Sequence, residues 1–186
     1  MRIISGFLKG KSIDFIKNLN TRPLKDSVKE NIFNILKHSN LFDVAIDKAI
    51  VLDLYSGIGS FGIEAISRGA QKVTFVEQDK NAVTILKKNL DKLSILNNVN
   101  ILNQTVEDFL KSSFKKRFNI FFLDPPFSDQ SFVQNLDIIK KNKIFEENHI
   151  IIIHRARKAL EKLENVIDVI ETKHYGRSKI IFGFFN

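Results

Sequence analysis

The chain has 186 residues, 44% of them hydrophobic, which is long enough for one well-buried domain, short for two, and unlike a disordered chain. It has no cysteine, so disulfides, thiolate metal sites and cysteine nucleophiles are excluded together. The formal net charge is +8, and residues 1–40 carry most of it, with eight Lys/Arg against three Asp/Glu, a balance that suits a polyphosphate partner.

Arg2–Phe7 and Lys9–Phe15 read as two short strands around a glycine-containing turn. After Thr21-Arg22-Pro23 a helix is expected, with Val28, Ile32, Phe33, Ile35 and Leu36 on one side and Thr21 or Asp26 as its cap. From residue 49 the pattern alternates. A strand at 49–53 precedes a glycine-rich turn, a helix at 61–68 is stopped by Gly69, and a strand at 72–76 ends at Glu77. A helix over 79–93 follows, then strands at 99–102 and 119–123, the latter ending at Asp124, and a helix over 132–140. Strands at 150–153, 166–172 and 178–185 complete the chain. Fully apolar strands alternating with helices predict an α/β fold with a mostly parallel, seven-stranded sheet covered on both faces. The N-terminal hairpin and helix (1–40) are expected to form a basic extension on the main domain (41–186), as one compact unit. In such sheets ligands bind beyond the carboxyl ends of the strands, where Asp53, Glu77 and Asp124 all fall. No charged-then-apolar leader and no bilayer-length apolar run is present, so a soluble cytoplasmic protein without a membrane partner is expected.

Asp53-Leu54-Tyr55-Ser56-Gly57-Ile58-Gly59 leads into a literal G-x-G-x-x-G, with Glu77 20 residues after Gly57, where a ribose-binding carboxylate belongs. Both a dinucleotide and S-adenosylmethionine can use this arrangement. Asp53 favours the second, because a carboxylate at the mouth of the turn repels a pyrophosphate and suits an ammonium and a sulfonium. A P-loop is excluded, since no Gly-Lys-Ser/Thr follows.

Asp124-Pro125-Pro126-Phe127 holds two of only three prolines, directly after an apolar strand. Proline fixes its own backbone and forces the preceding residue into extended geometry, so Asp124 and the carbonyls after it would be rigid at the cofactor edge. An exocyclic amine on a nucleobase is a poor nucleophile, because its lone pair is delocalised into the ring. The Asp124 carboxylate and the Pro125 carbonyl would hold its two hydrogens and aim its nitrogen. Phe127 would stack on the flipped base, contributing about 1–3 kcal/mol against the few that extrusion costs.

These motifs resemble class I S-adenosylmethionine-dependent methyltransferases of the amino-methylating branch. Arg2-Ile3-Ile4-Ser5-Gly6, Lys9-Gly10, Thr21-Arg22-Pro23, Asp26–Glu30, Phe33–Leu36, Gly62–Ala70 and Tyr175-Gly176 narrow the resemblance to the bacterial 16S ribosomal RNA guanine-N2-methyltransferase family, RsmD type. The resemblance implies a Rossmann-like class I fold and methylation of a guanine N2 in 16S RNA, within a small-subunit particle. It implies cofactor contacts from Asp53, Tyr55, Ser56, Gly57, Gly59, Glu77 and Gln78, with Thr105 and Val106 where such enzymes carry an acid for the adenine amine. It places Asp124, Pro125, Pro126 and Phe127 on the guanine, and Arg2, Lys9, Lys11, Arg22, Lys25 and Lys29 on RNA phosphates. Around Ile153-His154 the family often has Glu-His, and here the acid is absent; Arg177 likewise stands where an acid is usual.

Four scattered histidines show no ligand spacing, so no metal is expected, and His154 reads as a strand-end residue at the cofactor rim. Lys111, Lys115, Lys116 and Arg117 read as a solvated loop, and Arg155, Arg157 and Lys158 as RNA contacts or a helix start. The remaining alternatives are a DNA adenine-N6 methyltransferase, against which stands the lack of any added DNA-reading region, and a nucleotide-cofactor oxidoreductase or binding module. A monomer is the default expectation.

Overall fold

The computed structural model describes residues 1–15, 24–112 and 116–186. Helix α1 (Asp26–His38) precedes the alternating units β1 (Ile50–Leu54), α2 (Ser60–Ser67), β2 (Lys72–Val76), α3 (Lys80–Lys92) and β3 (Val99–Leu102). Then come α4 (Val106–Lys111), β4 (Phe118–Leu123), α5 (Phe132–Asn142), β5 (Phe145–Ala156), β6 (Asp168–Tyr175) and β7 (Ser178–Phe184). The seven strands lie in the order β3-β2-β1-β4-β5-β7-β6. All pairs are parallel except those made by β7, so the expected mostly parallel sheet is present.

Strand parity explains why both faces are covered. Val51, Ile120, Phe122, Ile150 and Ile152 point to one face, where they meet α1, α2, α3 and the N-terminal Ile3, Leu8 and Ile13. Leu52, Leu54, Phe121, Leu123, Ile151 and Ile153 point to the other, under α4 and α5. A strand buried on both sides cannot alternate with polar residues, which is why these segments read as unbroken apolar runs. On the first face Phe33, Phe61 and Phe122 stack in series, with centroids 5.0 and 4.0 Å apart.

Several local expectations are corrected. The two N-terminal strands reduce to a single antiparallel bridge between Arg2 and Ser12. Gly6 and Gly10 have φ of 83° and 84°, which turns the chain, and the Ile4 and Ser5 amides go to the Glu64 carboxylate instead of a partner strand. Helix α1 starts after Lys25 with no side-chain cap; Asp26 lies in its first turn, and Thr21 lies outside the described residues. The short helix α4, capped by the Thr105 hydroxyl on the Asp108 amide (3.0 Å), was not anticipated. Strand β5 is far longer than 150–153, with a register shift where it pairs with the start of β4, and no helix follows it before β6.

Candidate active site

β1 pairs with β2 on one side and β4 on the other, so the chain reverses its direction across the sheet at this point. A cleft of about 900 Å³ opens there, beyond the carboxyl ends of β1, β2, β4 and β5. Tyr55 leaves β1 with φ 57°, a region that costs a side-chain-bearing residue strain; its hydroxyl is held by Asn135 Nδ2 at 3.0 Å. Burial, with the Asp129 charge behind it, raises the Tyr55 pKa, so this phenol stays protonated.

Gly59 takes φ 80° and begins α2, and a Cβ there would lie 2.4 Å from Leu86 Cδ1. At Gly57 (φ 54°) a Cβ would meet nothing within 4 Å, so this backbone faces open space. The Gly57 amide donates to Glu77 Oε2 (2.7 Å) and the Asp79 amide to Oε1 (2.8 Å), which fixes the carboxylate. A carboxylate offers about four lone-pair sites, so each oxygen keeps one for the hydroxyls of a ribose.

The cleft is acidic. Among the described residues its lining includes Asp53, Glu77, Glu107, Asp124 and Asp129 and no lysine or arginine. Asp53 is 1% exposed, and its Oδ2 accepts from the Gly62 amide at 3.0 Å. Burial pushes its pKa well above the ordinary carboxyl value; the Gly62 hydrogen bond opposes that rise, and the charges of Asp124 and Glu77 reinforce it. Such a site favours a ligand that brings positive charge and disfavours a pyrophosphate. The Ser56 hydroxyl is buried at the same wall without a hydrogen-bond partner among the described residues, one more polar atom that a ligand would satisfy. The donor set therefore fits S-adenosylmethionine.

Asp124 follows β4 and sets the opposite wall. Its Oδ1 lies 2.8 Å from His154 Nδ1; His154 stands at the cleft rim, but within β5 and not at a strand end, because β5 continues to Ala156. The Phe127 ring is 39% exposed and stands edge-on to His154, with centroids 5.6 Å apart. The Pro126 carbonyl is occupied by the Asp129 amide (2.8 Å) and Arg155 Nη1 (2.9 Å). The Pro125 carbonyl accepts no hydrogen bond among the described residues.

The structure brings Asp53, Tyr55, Ser56, Gly57, Glu77, Gln78, Thr105 and Val106, expected on the cofactor, together with Asp124–Phe127 around one cleft, while Gly59 lies behind it at the start of α2. Glu107, unanticipated, adds an acid to the cleft lining beside Thr105 and Val106. Its Oε1 accepts from Asn135 Nδ2 (3.1 Å) and Ser131 Oγ (3.2 Å). Its own backbone amide above all, and those side chains, hold its pKa low against burial. The apolar Val106 beside Glu107 gave no sign of it, and the Thr105 hydroxyl is committed to the α4 cap.

Of the basic residues assigned to RNA, Arg2, Lys9, Lys11 and Lys25 are exposed, and their segment contributes Met1, Phe15 and Leu24 to the cleft lining. Arg22 and Lys115 lie outside the described residues. Lys29 is corrected: its side chain is fully buried, 3.7 Å from Glu64 Oε2, and donates to the Arg2 carbonyl at 3.1 Å. Burial lowers its pKa against the pull of Glu64 and Asp26, and no phosphate can reach it. Arg155 is corrected too, being buried within β5 rather than available to RNA or opening a helix. Lys116 and Arg117 precede β4, at the sheet edge opposite the cleft.

A family model described as Conserved hypothetical protein 95 matches residues 1–184. The chain is 34% identical over 175 residues to YlbH of Bacillus subtilis, a provisionally assigned rRNA methyltransferase, covering 93% of this chain and 91% of that one. It is 36% identical over 159 residues to the ribosomal RNA small subunit methyltransferase D of Haemophilus influenzae, covering 84% and 79%. A solved structure of yhhF from Escherichia coli, a provisionally assigned methyltransferase, superposes with a TM-score of 0.85 at 27% identity over 100% of this chain and 98% of that one.

Proposed function

Because the chain belongs to the Conserved hypothetical protein 95 family, the RsmD-type group, with the class I methyltransferase fold, we propose that it methylates ribosomal RNA with S-adenosylmethionine as donor and the N2 amine of a guanine in 16S RNA as acceptor. The observation that carries this reading is one cleft with two unlike walls. One wall is an acid-rich glycine turn whose glutamate keeps free lone pairs, and the other a rigid acid–proline–proline–aromatic loop.

When bound, S-adenosylmethionine supplies a methyl group made electrophilic by its sulfonium. Everything else falls to the chain. Gly57 and Glu77 orient the ribose, and Asp53 lies where it can balance positive charge. On the base side, His154 holds one Asp124 oxygen, leaving the other to accept one hydrogen of the guanine amine. The free Pro125 carbonyl accepts the second, which draws the nitrogen lone pair out of conjugation and towards the methyl. Phe127, exposed at the rim, stacks on the extruded base. As the N–C bond forms, the hydrogen held by Asp124 leaves as a proton on that side. No strong base is required of the chain, because the amine nitrogen would become cationic, and its hydrogen acidic, once methylated. Correct alignment of this kind can lower a barrier by about 7–11 kcal/mol.

Arg2, Lys9, Lys11, Arg22 and Lys25 would neutralise RNA phosphates, with the assembled small-subunit particle as substrate and a monomer as the acting form. No helix among the described residues is long and apolar enough to cross a membrane, and the cytoplasm is the compartment this reading requires. The test is transfer of labelled methyl to unmodified small subunits, naked 16S RNA and DNA, with the modified nucleoside identified after digestion. N2-methylguanosine from the ribosomal samples supports the proposal. Label in DNA adenine, or none anywhere, overturns it.

A further inference from the structure

Two consecutive prolines create a difficulty at the base-binding loop. Neither has an N–H, so the loop lacks two of the donors that would normally satisfy its own carbonyls. The Asp129 amide meets only one of them, that of Pro126, at 2.8 Å. The missing donors come from β5. Arg155 Nη1 donates to the Pro126 carbonyl (2.9 Å), and Nη2 to the carbonyls of Phe127 (3.1 Å) and Asp129 (2.9 Å). Its Nε donates to Glu161 Oε1 at 2.8 Å, and Lys179 Nζ lies 2.8 Å from Glu161 Oε2. The guanidinium also covers the Phe132 ring at the start of α5, 4.5 Å from its centroid.

We propose that Arg155 is the positioning residue of the methyl-transfer site: a buried guanidinium fork that ties down the carbonyls of Pro126, Phe127 and Asp129. The Pro125 carbonyl is thereby left as the open acceptor, and the Phe127 ring is held at the rim. The Arg155 side chain is fully buried and touches no cleft space, so it acts through the loop and not on substrate. Its charge is balanced within the clamp. Burial raises the Glu161 pKa, but Lys179 and Arg155 reverse that and leave it below the usual range, so the acid is ionised. Lysine cannot replace this fork, since an ammonium directs its donors from a single point and cannot span three carbonyls and a carboxylate.

The kinetic part of this inference rests on the methyltransferase reading, while its structural part does not, and the experiment separates them. In R155K, amide hydrogen exchange at Phe127–Ser131 should accelerate at least tenfold relative to core amides of β1. S-adenosylhomocysteine affinity should stay within threefold, and kcat for RNA methylation should fall roughly 10- to 100-fold with KM for S-adenosylmethionine unchanged. If R155K does not fold, the charge-balanced double variant R155Q/E161Q takes its place with the same expectations. A loosened loop with unchanged kcat, or a lowered kcat with an unchanged loop, overturns the positioning role. If the wild-type protein methylates no RNA, the proposed function falls, and the exchange measurement alone decides the clamp: a loop no looser in the variant than in the wild type overturns it.

Discussion

Asp124→Asn tests the chemistry most directly. His154 Nδ1 lies 2.8 Å from Asp124 Oδ1, and an asparagine must turn its oxygen to that nitrogen when the nitrogen carries hydrogen. Its amide NH₂ then faces the cleft, where the base amine presents a hydrogen of its own. The loss has two parts. A hydrogen bond to a charged acceptor contributes about 1.5–3 kcal/mol, and leaving a desolvated N–H unpaired costs about 1–3 kcal/mol. Together these raise the barrier by about 2.5–6 kcal/mol, a fall in rate of about 10² to 10⁴ at 1.36 kcal/mol per decade. Asp124→Ala should lose about 10- to 100-fold, less than the asparagine variant, because alanine removes the acceptor without adding an opposing donor. The assay is single-turnover transfer of labelled methyl to unmodified small subunits, with S-adenosylhomocysteine binding measured by calorimetry alongside. Cofactor affinity should change less than threefold, since Gly57 and Glu77 stand on the other wall. A rate within threefold of wild type in Asp124→Asn would remove this carboxylate from the mechanism.

The raised Asp53 pKa predicts a pH signature. A buried acid with an elevated pKa holds its proton in the folded state, so its contribution to stability is greatest at low pH and declines as pH rises from the ordinary carboxyl value through the raised one. A cationic ligand favours the ionised form, so S-adenosylmethionine should bind more tightly as pH rises through that window and release protons. Calorimetry in buffers of different ionisation enthalpy reads this directly; an absence of proton release, or an identical signal in Asp53→Asn, would count against it. Glu64→Ala leaves the buried Lys29 ammonium without its nearest carboxylate and should cost about 3–5 kcal/mol. Lys29→Met should cost less than about 2 kcal/mol, because Glu64 keeps Arg68 at 2.7 Å and the Ile4 and Ser5 amides, and hydrogen bonds to a charged group are worth about 1.5–3 kcal/mol. Denaturant titrations that rank the two variants the other way refute that account of the network. Finally, RNA affinity should fall steeply with salt, and alanine at Lys9, Lys11 and Lys25 should each reduce the log–log slope by about 0.7–0.9. Lys29→Met should leave that slope alone; a drop there would mean that Lys29 does reach an RNA phosphate.

How much of this was legible in the sequence depended on whether a property is local to the chain. β2 and β3 fall at the residues expected, because short, largely apolar runs between turn signals mark them. β5 does not, since Glu147 and Asn148 interrupt its hydrophobic pattern where it bulges away from β4. The clustering of Asp53, Gly57 and Glu77 on one wall of the cleft was readable because glycines and an acid at fixed spacing must meet within one turn and one neighbouring strand. The partners of the base loop were not, because they come from 26 to 30 positions away. Even so, two misread residues left a trace. Lys29 stands three, four and seven positions before Ile32, Phe33 and Leu36, so helical spacing puts it on the buried stripe of α1. Counting charge assigned it to RNA, and reading the helix face would have turned it inward. Arg155 continues the parity of Ile151 and Ile153 towards the interior. A charged residue at an inward strand position needs buried acceptors, and two adjacent prolines make carbonyls that need an outside donor. Each pattern alone is ambiguous, and together they point to one another across the sheet.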